Sequence, residues 1–366
     1  MKILFIGDYS NLHACLASEL RRLGHQVTVV SDGGKYQQTK TDVLLSRGEG
    51  RLASIKYLTD IMRLWPELRG YDVVQLINPH FLNLKPGKLA YFLRELARRN
   101  GSIFLTLCGN DYYYVHECVD GDFRFSEFRV GRERTPFATA YPQREQGWLR
   151  DDVRRYNELL YSMIAGGMAV LPEYMIAGEK VLGERCRFTN IPIDLTRHPY
   201  RERDFREPLS LMVGMKPAME TQKGTSILLE TAKTLQERHP DIFKVEKVSG
   251  LSYPDYLKKM ENADVLFDQL FSYSPATNAL DAMAMGVIAV SGAEPEYYDL
   301  INEPQRRPVV QVSPLTENLE EYLFNILSDA DALRRMSREG REIVERHNDV
   351  RIVARKFLKQ WEEQAQ

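Results

Sequence analysis

Cysteine is scarce and unpatterned. The four residues Cys15, Cys108, Cys118 and Cys186 stand far apart in a chain of 366. No C-x-x-C pair and no paired-histidine spacing accompanies them, which argues against a disulfide framework or a structural zinc site and for a reducing cytoplasm. Long apolar runs are missing as well, and no stretch approaches the ~20 residues that span a bilayer. The run Ile3-Leu4-Phe5-Ile6-Gly7 is cut short by Asp8, with no small-residue cleavage site behind it, so no secretory leader is expected. The expected protein is soluble or peripheral to a membrane. Charge of one sign is not in excess: 49 basic against 51 acidic residues leave a formal net charge of −2, which gives nucleic acid no footing. Only Gly7 follows the first strand where a dinucleotide site needs G-x-G-x-x-G, so a dehydrogenase is the least supported enzyme class. Tandem repeats and low-complexity tracts are also missing.

What is present reads as ordinary globular sequence, 43% hydrophobic and 27% charged. The length exceeds what one hydrophobic core supports, so two domains are expected. Lys2–Ile6 is an apolar strand, Leu12, Leu16, Leu20 and Leu23 recur at helical spacing, and Val27–Val30 is a second strand. Together they start a doubly wound parallel sheet. From Gly33-Gly34 to about Arg51 the chain is polar and reads as a loop. Strand ends carry ligands in such sheets. This marks Asn11 and His13 beyond the first strand, His80 after Tyr71–Ile77, and Asp111 in Cys108-Gly109-Asn110-Asp111 after Ser102–Leu107. A structural hydrogen bond would explain His80 equally well. Residues 117–146 lack periodicity and read as a long binding loop over an acceptor. Arg94, Arg98, Arg99, Arg150, Arg154 and Arg155 lie on two helices, either as solvated faces or as a basic patch for anionic lipid.

The second half is built around residues 263–296. Val265-Leu266-Phe267 reads as a buried strand, followed by a loop of small hydroxylated residues and a helix from about Ala276 that Gly286 ends. That loop offers little to cap the helix, so its first-turn N–H groups suit a phosphate or diphosphate. Asp281, about one and a half turns in, is placed to accept hydrogen bonds from a ribose. Upstream, Leu209–Gly214 is a strand ending at glycine. Met215-Lys216-Pro217 and Lys223-Gly224 then lead into a helix, a second anion site by the same reasoning. The charged stretch 200–208 reads as the interdomain linker, and the helix from Arg341 is long and amphipathic.

Loop, helix, Asp281 and then Ala282-Met283-Ala284-Met285-Gly286 resemble the nucleotide-sugar motif of the GT-B glycosyltransferases, specifically the retaining family 4. Lys223-Gly224 and the Glu294-Pro295-Glu296 turn also resemble that family. The first acidic position of its motif falls here on Tyr273. The histidine of its His-Gly-x-Asp segment is replaced by Cys108, whose thiol is a poorer hydrogen-bond partner, so the histidine's role does not carry over. The resemblance implies an α/β GT-B fold: two Rossmann-like doubly wound domains facing a cleft. Residues 1–199 would bind the acceptor and 200–340 the nucleotide sugar, and a C-terminal helix, 341–366, would cross back to the first domain.

It further implies transfer of a sugar from a UDP- or GDP-linked donor to a glycan or lipid-linked acceptor. The reaction would be retaining and would need no metal and no cofactor. Polysaccharide or lipopolysaccharide assembly at the inner face of a bacterial membrane is the family habit. Lys223 and Asp111 are the implied catalytic residues. Gly7, Gly214, Lys216, Lys223, Gly224, Tyr273, Ala276, Thr277, Asn278, Asp281 and Glu294 are expected at the donor, and Asn11, His13, His80 and Asp111 at the acceptor. Because Cys108 and Tyr273 depart from the pattern, a non-catalytic glycosyltransferase-like subunit and a nucleotide-sugar epimerase remain as alternatives.

Overall fold

The structure, a computed structural model, describes residues 1–34, 39–216 and 219–364. Part of the polar stretch 33–51 and Pro217 of the second anion loop lie outside the described residues. The chain divides into two compact units: Met1–His116, Gln146–Pro192 and Val350–Gln366 form one, and Glu117–Glu145 with Ile193–Asp349 the other.

The first unit is built on a parallel sheet of β1 (Lys2–Ile6), β2 (Gln26–Ser31), β3 (Val43–Leu44), β4 (Val73–Leu76) and β5 (Ser102–Leu107), joined by two later strands. Between β5 and those strands the chain makes a small hairpin, β6 (Arg129–Val130) with β7 (Glu133–Arg134), that belongs to the second unit. The sheet is completed by β8 (Gly166–Ala169) and β9 (Cys186–Phe188), in the order β3-β2-β1-β4-β5-β8-β9. The central strands are apolar almost throughout because helices cover both faces. The C-terminal helix Val350–Gln364 is fastened inside this unit. Trp361 donates its indole N–H to Gln75 Oε1 at 2.9 Å, Gln75 donates to Thr106 Oγ1 at 2.9 Å, and Gln360 reaches the Gly167 carbonyl at 3.1 Å. Each of these buried bonds is lost if the helix slides, so together they fix it in one register.

The second unit carries a five-stranded parallel sheet of β10 (Leu209–Gly214), β11 (Phe243–Val248), β12 (Val265–Phe267), β13 (Ile288–Ser291) and β14 (Val310–Gln311), in the order β11-β10-β12-β13-β14. Edge strand β11 keeps Lys244, Glu246 and Lys247 away from the core, which blunts the edge against mispairing.

Three expectations about organisation shift. The charged stretch 200–208 is no linker, because the division falls at Pro192/Ile193 and this stretch wraps the second unit. Phe205 is buried there, and Arg203 donates to the Glu261 carbonyl at 2.8 Å. The return crossing comes at Val350 and not at 341. The helix Ala330–Ile343 runs on through one wide turn to Asn348, and Asp349 breaks it by pairing with Ile193. Segment 117–145, expected in the first domain, groups with the second unit. The basic patch is largely neutralised: Arg98 and Arg99 pair with Glu95, Arg150 with Asp152, and Arg154 and Arg155 with Asp151.

Candidate active site

The strand order of the second sheet reverses between β10 and β12, and open α/β sheets bind ligands beyond the strand ends at such a point. Gly214 ends β10, and Asp268 follows β12 directly. Asp268 is 2% exposed. Its Oδ1 accepts from Lys223 Nζ at 3.2 Å and from Asn278 Nδ2 at 3.0 Å. The two residues singled out from separate motifs are thus joined through a carboxylate that no motif marked.

Backbone geometry holds the same arrangement. Leu270 N–H donates to the Lys223 carbonyl at 2.8 Å. Gly224 takes φ +72° between the short helix Glu220–Lys223 and the helix Thr225–Arg238, and a Cβ there would lie 2.8 Å from Leu270 Cβ. Only glycine adopts that conformation at such close quarters without strain. The helix Thr277–Ala284 begins after Ala276, whose methyl side chain cannot cap it, and Asn278 of its first turn belongs to the cluster. Lys216 is exposed in the loop after β10, close in sequence to this cluster but in no direct bond with it that the described residues show.

Asp281, the residue expected at a ribose, is buried. It is 3% exposed, Oδ2 accepts from Tyr253 Oη at 3.1 Å, and Oδ1 lies 3.2 Å from His198 Nε2. Burial pushes the Asp281 carboxyl up to about 7 and His198 down to about 4, so each disfavours its charged form. His198 and Tyr253 carried no sequence signal, since each only meets Asp281 through the fold.

Tyr273 stands where the resemblance would put an acidic residue. Tyr273 is buried beneath segment 117–145, where its Oη accepts the Arg124 backbone N–H at 2.7 Å and its ring stacks on Phe125 at 4.7 Å. The Arg124 guanidinium lies 5.0 Å from the Tyr273 ring centroid and pairs with Glu296 at 2.5 Å and with Glu294 at 2.9 Å. Glu294 also accepts from Gln311 at 2.9 Å and donates its own N–H to the Tyr273 carbonyl. Tyr273 and Glu294 therefore come together, with Arg124 as the member sequence reading missed.

In the first unit, Gly7 and His80 line one cavity of about 430 Å³, together with Asp8, Tyr9, Arg47 and Tyr57. Gly7 has φ +82°, and a Cβ would strike Ile77 Cγ2. Burial raises the Asp8 carboxyl to about 6, and His80 stacks on Trp148 at 4.7 Å. The other acceptor candidates are not part of this cavity. Asn11 begins the first helix in a left-handed conformation. His13 is fully buried, bonded to the Gly7 carbonyl at 2.7 Å and to Thr106 Oγ1 at 3.1 Å, and stacked on Phe5. Asp111 turns inward: Oδ1 accepts from Tyr114 N–H at 2.7 Å and Oδ2 from Tyr161 Oη at 2.5 Å, so it caps the following helix. Cys108 is pushed up to about 12 by burial, which removes it as a nucleophile. Among the described residues no group of three or more His, Cys, Asp or Glu could hold a metal ion, and no helix is long and apolar enough to cross a membrane.

Anabaena HepE, crystallised with UDP and glucose, matches 99% of this chain and 100% of its own at 13% identity and a TM-score of 0.61. Sucrose-phosphate synthase from Thermosynechococcus elongatus matches 99% of both chains at 13% identity and a TM-score of 0.64. WaaG, a glycosyltransferase involved in lipopolysaccharide biosynthesis, matches 97% of this chain and 98% of its own at 14% identity and a TM-score of 0.60. The fold is GT-B. At such identities the GT-B likeness extends to the fold alone. No family model matches the chain, and no curated protein sequence does.

Proposed function

We propose that the chain is a glycosyltransferase that takes a sugar from a nucleoside-diphosphate donor held by the second unit. The observation that carries this reading is the joint anchoring of Lys223 and Asn278 on Asp268, at the switch point of the sheet and beside an uncapped helix start. As the glycosidic bond breaks, negative charge grows on the leaving phosphate. The Lys223 ammonium, Lys216 and the N–H groups of Thr277–Ala279 would stabilise that charge without reorganising. The fold likeness to a protein crystallised with UDP and glucose favours a UDP-linked donor. In this reading the reaction is metal-independent, needs no resident cofactor and retains anomeric configuration, with the leaving phosphate helping to take the acceptor proton. The first unit receives a glycan or lipid-linked acceptor, for which the Gly7–His80 cavity is the candidate. Cell-surface polysaccharide or lipopolysaccharide synthesis, by a cytoplasmic protein at the inner membrane face, is the fitting context.

A thermal-shift panel of UDP, GDP, ADP and their sugars tests the donor site, because a ligand specific to the native state raises the melting temperature. No shift with any of them would overturn the reading. Release of free sugar from the stabilising donor then separates a transferase from a non-catalytic binding subunit. That second reading draws on Tyr273 lying covered where the family has a carboxylate. An epimerase would convert the donor's sugar with no acceptor present.

A further inference from the structure

Asp268 places a carboxylate where the proposed function needs positive charge. It is 2% exposed, its Oδ1 is shared by Lys223 and Asn278, and its Oδ2 has no hydrogen-bond partner among the described residues. Lys223 is 30% exposed, so its ammonium stands between the buried carboxylate and the solvent side from which an anion arrives. The Asp268 charge is felt beyond this pair, since it contributes to raising the nearby Asp281 carboxyl.

We infer that Asp268 is the counter-charge of the diphosphate site: it positions Lys223 and Asn278 and weakens the hold on a nucleoside diphosphate so that product leaves. The inference rests on the proposed donor site. A carboxylate placed only to orient a lysine could be an amide, because Asn would still accept from both donors with its carbonyl oxygen. The retained negative charge lowers the local potential instead, and at this depth it is poorly screened.

The test is calorimetric titration of UDP and GDP into wild type, Asp268→Asn, Lys223→Met and Lys216→Met. Asp268→Asn is expected to bind the recognised nucleotide roughly tenfold tighter or more, with a steeper loss of affinity on adding salt. A residue that only orients its partners would leave binding equal with the amide in place, or weaker where the amide fails to hold them. Equal or weaker binding by a folded Asp268→Asn overturns the inference. Two variants that leave Asp268 in place carry the test independently of that protein's folding. Lys223→Met uncovers the carboxylate and is expected to cost about tenfold more affinity than Lys216→Met, and equal losses overturn the inference. A wild type that binds neither nucleotide overturns the donor site itself, which distinguishes that failure from this one.

Discussion

The backbone N–H of Leu270 donates to the carbonyl of Lys223 at 2.8 Å. This bond ties the loop after β12 to the turn that presents the lysine, and it leaves no room beside Gly224. A Gly224→Ala methyl would sit 2.8 Å from Leu270 Cβ and 3.0 Å from Phe271 Cε2 with φ held at +72°. Backbone strain and contact together predict a loss of about 1–3 kcal/mol in stability. The two loops must part to relieve it, so nucleotide affinity is expected to fall about tenfold. Denaturant unfolding and nucleotide titration of the variant check both values, and unchanged affinity would show that the turn does not position Lys223.

Tyr273 connects segment 117–145 to the rest of the second unit through its hydroxyl. Tyr273→Phe keeps the stacking on Phe125 but leaves the Arg124 N–H without this acceptor. This bond is part-buried, so its loss costs about 0.5–1.5 kcal/mol. The cost should appear locally, as faster amide hydrogen exchange across residues 123–130, with the sheet strands unaffected. Unchanged exchange there would mean that the segment is held by Arg124's ion pairs with Glu294 and Glu296 alone.

Much of the fold was legible because it is written in local pattern. β1, β5 and β12 are short apolar runs closed by turn residues, and burial of parallel strands on both faces demands such runs. The glycine turn at Lys223-Gly224 and the uncapped helix start after Ala276 were legible for the same local reason. Asp268 was not, because after an apolar strand nothing in the sequence says which way a carboxylate turns. Arg124 was not legible either, since it meets Tyr273 across 149 positions. The polar composition of 117–145 and 200–208 suggested loop and linker. Single residues such as Phe205 and Phe125, buried inside otherwise charged stretches, decide that both pack on the second unit. Asp111 lies beyond the end of β5 and His13 in the helix after β1, but their polar atoms are spent on Tyr161, Thr106 and the backbone.

The fastening of the C-terminal helix makes its own prediction. Trp361→Phe retains most of the buried ring but strands Gln75 Oε1 in the core of the first unit. The lost bond and the residual cavity together predict about 2–4 kcal/mol of destabilisation. Trp65 and Trp148 also belong to the first unit, so fluorescence still follows its unfolding in the variant. A midpoint unchanged in denaturant would mean that the helix contributes little to that unit.

His13 makes the first unit sensitive to acid. Burial lowers its imidazole to about 3, against an ordinary value of 6.5. The folded form therefore disfavours the proton, and the contribution of neutral His13 is fully present above pH 6.5 and is lost as pH falls toward 3. Between pH 7 and pH 5 the loss amounts to about 2 kcal/mol, at about 1.4 kcal/mol per pH unit below 6.5. Asp8 works in the opposite direction, because its carboxyl is raised to about 6 and the folded form gains stability as pH drops from there toward 3.8. Asp8 remains in a His13→Gln variant, where the backbone N–H of residue 13 can still donate to it, so the difference between the two proteins isolates the imidazole. His13→Gln is expected to be less stable than wild type at pH 7, where it gives up well-placed bonds to Gly7 and Thr106, and to lose about 2 kcal/mol less on going to pH 5. Denaturant unfolding followed by tryptophan fluorescence at the two pH values measures that difference, and parallel losses in both proteins would mean that His13 titrates normally in the folded state.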